Sequence, residues 1–230
     1  MKKSILFGLM AAFVFAGCGG SGSSGPTPTP TSDATKAASS AAANEAMSAA
    51  GEGAQNGFAN MAPAAMVVKD SAAKDSYEGA INVTHACDAG TIAVVGNTTA
   101  ECTGDPLTSW TCSQFVGTMT LTFSDCQRTV TVGSTPYSVT MNGTATSTVT
   151  GSASGVGASF SSVEFTGAFV GSLALTGGVT GTALLDNLGF IGVGTSGADP
   201  ETTCSGTTTI TIDATEQVCA VSSDCSTCTE

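Results

Sequence analysis

Thr118-Met119-Thr120-Leu121-Thr122-Phe123 alternates a β-branched hydroxyl residue with a large apolar one over six positions. Successive side chains of a strand point to opposite faces, so Met119, Leu121 and Phe123 share one face and the threonines the other. On a helix the same residues would scatter around the circumference. The same period recurs at residues 80–84, 129–132, 138–141 and 208–212. Of 36 Thr, 32 lie after position 80. Threonine fits the solvated face of a pleated sheet, and a sheet with one wet face is antiparallel as a rule. These runs predict a mainly β protein.

Working outward, the runs sit in a loose repeat. Tyr77-Glu78-Gly79-Ala80 resembles Phe115-Val116-Gly117-Thr118, and Met141-Asn142-Gly143-Thr144, Phe169-Val170-Gly171-Ser172 and Cys204-Ser205-Gly206-Thr207 begin alike. The starts are 38, 26, 28 and 35 residues apart, room for one hairpin each. The expectation is a curved antiparallel sheet or a β-sandwich of similar hairpins, residues 76–230. Irregular spacing argues against a strict solenoid.

Residues 33–75 differ in texture. Ala dominates, with Ser32 or Asp33 placed to cap a helix and Pro63 to interrupt it. Large apolar residues are sparse there (Met47, Phe58, Met61, Met66), so the segment reads as a helix that packs weakly on the sheet, or as linker.

Residues 1–17 combine Lys2 and Lys3 with an apolar run from Ile5 to Phe15, shorter than the roughly 20 residues a spanning helix needs. Phe15-Ala16-Gly17-Cys18 follows, with Phe15 where Leu is usual. This resembles a bacterial lipoprotein signal, which implies cleavage before Cys18 and lipidation of Cys18. Residues 18–32 form a Gly/Ser/Thr/Pro tether that cannot bury a core. The resemblance implies a cell-envelope protein whose membrane contact is its lipid anchor. Gly19 follows the cysteine where enteric bacteria use Asp for inner-membrane retention, which favours the outer membrane.

Formal net charge is −12, with 6 basic and 18 acidic side chains. Without residues 1–17 only Lys36, Lys69, Lys74 and Arg128 remain as cations, a net of −14. Nucleic-acid binding, which needs cations to displace counterions from phosphates, is excluded as an expectation. One Trp, two Tyr and ten Phe do not supply the aromatic girdles of a membrane barrel.

Nine cysteines are present. With Cys18 acylated, eight remain: Cys87, Cys102, Cys112, Cys126, Cys204, Cys219, Cys225 and Cys228. An even number in an exported chain reads as disulfides, most simply formed within the groups 87–126 and 204–228. Cys225-x-x-Cys228 could bind metal or act in redox chemistry, but it lacks both a following helix and a partner pair at matching spacing.

His85 is the single His, so any Ser–His–acid triad runs through it. No Gly-x-Ser-x-Gly elbow accompanies it, and it reads as a surface residue at a strand end. Gly192-Val193-Gly194-Thr195-Ser196-Gly197 matches a dinucleotide string, but a Thr-rich strand follows where a helix is required. Asp186, Asp199, Glu201, Asp213, Glu216 and Asp224 read as solvated loop acids, not calcium ligands. The sequons at Asn82, Asn97 and Asn142 carry no weight beside a bacterial-type signal. No catalytic residue, metal site or cofactor is expected. The expected function is a non-enzymatic structural or interaction role with an envelope protein partner, or carriage of an apolar ligand in a pocket under the sheet.

Overall fold

The computed structural model describes residues 32–61, 75–105, 109–156, 159–195, 201–212, 215–223 and 228–229. The signal, Cys18, most of the tether and Cys225 lie outside them, as do Asp199, Asp213, Asp224, Ser196 and Gly197. One helix, α1 (Ser32–Met61), precedes nine strands. These are β1 (Asp75–Ala86), β2 (Ala89–Asp105), β3 (Ser109–Val132), β4 (Thr135–Val156), β5 (Ser159–Gly177), β6 (Gly181–Thr195), β7 (Glu201–Ile212), β8 (Thr215–Val221) and β9 (Cys228–Thr229). Each pairs antiparallel with the next, giving one sheet in chain order. The sheet is open and curved, since α1 touches β1–β4 at one end and β6–β9 at the other.

The deciding stretch lies in β3, where Phe115, Met119, Leu121 and Phe123 are buried and Val116, Thr118, Thr120 and Thr122 are exposed. Residues 118–123 and 129–132, two separate runs in the sequence, belong to this one 24-residue strand. Two bulges make that possible. Between Cys112 and Phe115, and between Phe123 and Cys126, β3 gains a residue over β4. Gln114 and Asp125 absorb these insertions at φ 61° and 50°. Each three-residue step returns the next large side chain to the inner face. Asn142 clamps the second bulge, accepting from the Asp125 amide at 2.8 Å and donating to its carboxylate at 3.1 Å.

The expectation of one hairpin per repeat is corrected. Phe115, Met141 and Phe169 fall on the consecutive strands β3, β4 and β5, so each middle repeat advances the sheet by one long strand and not by two. The physical reason is that glycines inside these strands make room for large neighbours and let the strands run on. Gly192 lies opposite Phe165, and Gly167 opposite Phe190. A Cβ at Gly192 would sit 2.1 Å from the Phe165 ring, so the missing side chain is the space the ring occupies. Phe190 packs edge-on against Phe165 at 5.8 Å and tilted on Phe169 at 5.4 Å between centroids. The dinucleotide-like string is thus, through Thr195, strand β6 in an aromatic–glycine packing.

The weak-packer reading of the Ala-rich segment is also corrected. Residues 32–61 are helical, and Ala34, Ala38, Ala42, Ala43, Ala46, Ala49 and Ala50 are all fully buried. Of its exposed side chains beyond the first turn, Asn44, Ser48, Glu52 and Gln55 form one stripe, and Asn60 lies at the C-terminal end. A helix covered on nearly every side needs no wide apolar stripe, because small side chains let the sheet close around it while the sheet supplies the bulk. A Cβ at Gly53 would lie 2.8 Å from Val94 Cγ1, and one at Gly57 2.5 Å from Thr98 Cγ2.

Two disulfides close within the first cysteine group, Cys87–Cys126 and Cys102–Cys112. Cys102 and Cys112 are register partners on β2 and β3, whereas Cys87 reaches from the β1–β2 turn across to β3. The side chains of Cys204, Cys219 and Cys228 lie outside the described residues.

Candidate functional site

Charge inside the fold gathers at one corner, where the β1–β2 turn passes the second bulge of β3 beneath α1. Glu45 comes from the middle of the Ala-rich helix and is buried, its side chain only 5% exposed. Glu52 stands seven residues on, two turns along the same helix face, and is half exposed. His85 is the penultimate residue of β1, Asp88 lies in the turn, and Arg128 follows the Cys126 bulge on β3.

His85 bridges the two helix carboxylates. Its Nδ1 is 2.9 Å from Glu52 Oε1 and its Nε2 is 3.1 Å from Glu45 Oε2. Arg128 Nε donates to Glu45 Oε1 at 2.5 Å and Nη1 donates to Asp88 Oδ1 at 2.6 Å. Asp88 Oδ2 accepts from the Thr129 amide at 3.1 Å. Both Glu45 oxygens are therefore occupied, which is what a buried carboxylate requires.

The hydrogen bond to Glu45 raises the His85 pKa above its ordinary value; burial opposes the rise and Glu52 reinforces it. Burial works against the Arg128 charge, but Glu45 and then Asp88 outweigh it and raise its pKa. At neutral pH the corner thus draws its imidazole toward the cationic form between two carboxylates.

The reading of His85 as a surface residue is corrected: it is at a strand end, but 8% exposed and clamped by α1. With both ring nitrogens held by carboxylates, the imidazole has no nitrogen directed at a hydroxyl or thiol that it could activate. Three of the acids read as loop residues, Asp186, Glu201 and Glu216, are on strands β6, β7 and β8. Asp186, on β6, accepts from the Gly171 amide at 2.7 Å beside the β5–β6 irregularity, and Glu216 is exposed on β8. The side chain of Glu201 lies outside the described residues.

Sequence reasoning missed Glu45 altogether and counted Arg128 only as a cation. A single buried-type carboxylate amid alanines, in a chain with one Arg and one His, was the available signal. Among the described residues, Glu45, Cys87 and Cys126 also bring a carboxylate oxygen and two sulfurs within 4.8 Å of one another. Joined as a disulfide, those sulfurs offer no thiolate.

No family model, no curated protein and no solved structure matches the chain.

Proposed function

We propose that the chain is a bacterial envelope lipoprotein, anchored through Cys18, with a non-enzymatic structural or interaction role. The observation that carries this reading is that the concave face of the sheet is occupied by the chain's own helix. Ala38, Ala42, Ala46 and Ala49 are fully buried against it, and Gly53 and Gly57 leave no room for a further methyl group. Space that a carrier would keep for an apolar ligand is filled with protein.

What remains to present is the convex face. There Thr118, Thr120 and Thr122 pair across strands with Thr148, Thr146 and Thr144, all six exposed. Val95, Val116 and Val170 flank them, 57%, 40% and 65% exposed. This threonine patch carries no charge, although Glu78, Glu164 and Asp186 are exposed elsewhere on the same face, so a neutral partner can approach the patch without desolvating ions. The tether of residues 18–32 would hold it clear of the membrane, with the outer membrane favoured.

Metabolic labelling with a fatty-acid analogue and membrane fractionation test the anchor. The full chain is expected to label and to sediment with the outer membrane, and Cys18→Ser to do neither. Mass spectrometry of organic extracts of the purified protein tests the role. A stoichiometric lipid beyond the covalent anchor would replace the structural reading with that of a carrier.

A further inference from the structure

The corner where α1 meets the β1–β2 turn holds a second chemistry. Glu45, Cys87 and Cys126 place one oxygen and two sulfurs within 4.8 Å of one another, with Cys126 fully buried and Cys87 partly exposed. We propose that opening the Cys87–Cys126 disulfide turns this corner into a zinc site, with the two thiolates and the Glu45 carboxylate as ligands and water in the fourth position.

The reduction is a two-electron exchange with a dithiol. A dithiol thiolate attacks the accessible Cys87 sulfur, and the Cys126 sulfur leaves. The second dithiol sulfur then displaces Cys87, so the protein ends with two thiols and the reductant with a disulfide. Binding Zn²⁺ releases both thiol protons to solvent. Thiolate and carboxylate donors suit zinc, and three protein ligands plus water make a tetrahedral open site.

Charge and geometry both favour the exchange. Two thiolates, one carboxylate and Zn²⁺ sum to −1, and Arg128, already 2.5 Å from Glu45, places a positive charge beside that centre. His85 and Arg128 each hydrogen-bond one Glu45 oxygen, leaving a second lone pair on each and supplying the outer support a ligating carboxylate needs. Zn–S bonds of about 2.3 Å require the sulfurs to part to roughly 3.8 Å. The 5.4 Å Cα separation allows this by side-chain rotation. Zinc would tie together the same turn and strand as the disulfide, and add the helix.

The full chain, reduced under argon with a dithiol that is then removed, is titrated with Co²⁺ and Zn²⁺. The expected result is a thiolate-to-cobalt charge-transfer band that Zn²⁺ displaces. The chain with Cys87→Ser and Cys126→Ser should bind one equivalent less. The other cysteines are common to both chains, so the difference isolates this pair. Glu45→Gln should weaken that site at least tenfold, and Glu164→Gln, exposed on β5 away from the corner, should leave it unchanged. If Glu45→Gln fails to fold, alkylation mapping of the wild-type chain decides: zinc should shield both Cys87 and Cys126. An undiminished equivalent without the two cysteines, equal weakening by Glu164→Gln, or unshielded cysteines would each overturn the proposal.

Discussion

Glu45 and Arg128 lie 83 residues apart in sequence and share a hydrogen bond of 2.5 Å between Oε1 and Nε. The pair joins the middle of α1 to β3, beside His85 and Asp88. Removing Arg128 leaves a carboxylate that is 5% exposed with only His85 to compensate it. Breaking a buried pair this way costs about 3 kcal/mol. Arg128→Ala should therefore lower the urea midpoint markedly, whereas Glu45→Met with Arg128→Leu should recover a large part of the loss. A double variant no better than Arg128→Ala would mean that the pair does not act as a unit.

His85 makes the same corner pH-dependent. Its folded pKa is raised by Glu45 and Glu52, while the unfolded chain titrates near the ordinary 6.5. A raised folded pKa gives a stabilising contribution that is complete below the unfolded value and is lost as pH rises through the folded one. Urea midpoints measured from about pH 6 to about pH 9 should fall with rising pH in the wild-type chain. His85→Gln should flatten that slope. An unchanged slope would assign the pH dependence to other groups.

How much of this was legible beforehand depended on which force set each element. Strand faces follow from side-chain period alone, so Met119, Leu121 and Phe123 were readable as core, and the curved sheet with them. The bulges at Gln114 and Asp125 were not, because they extend β3 through residues whose types ordinarily end a strand. The packing role of Gly167 and Gly192 was not legible, because a residue's own sequence does not reveal the ring that will lie over it. The pairing of Glu45 was not legible for a related reason: its partners, His85 and Arg128, are brought to it only when the sheet wraps the helix.

The glycines of α1 should separate two opposing effects. Gly51 has nothing within 4 Å of an added Cβ, so Gly51→Ala should stabilise by up to about 1 kcal/mol through helix propensity alone. Gly57 has Thr98 Cγ2 at 2.5 Å and Ile81 Cγ1 at 3.0 Å. There the steric cost of about 1–3 kcal/mol exceeds the propensity gain, so Gly57→Ala should destabilise. Thermal midpoints of the two variants should move in opposite directions; a shared sign would mean that the helix is not gripped by β1 and β2.

The C-terminal part of α1 also protects the free edge of the sheet. β1 pairs with β2 on one side, and on the other Asn56 Oδ1 accepts from the Asn82 amide at 3.1 Å while Asn60 Nδ2 donates to the Ala80 carbonyl at 2.6 Å. Asn60 Nδ2 also reaches Asn56 Oδ1 at 3.2 Å, so the two amides act as one clasp. They occupy an edge donor and an edge acceptor that would otherwise template another strand. Their removal costs little fold stability, since these bonds are exposed and each contributes about 1 kcal/mol. The expected phenotype of Asn56→Ala with Asn60→Ala is accordingly association, not unfolding. Sedimentation velocity should show concentration-dependent oligomers in the double variant at temperatures where its circular dichroism matches wild type. A monomer at all concentrations would show that the edge is guarded by something other than these two side chains.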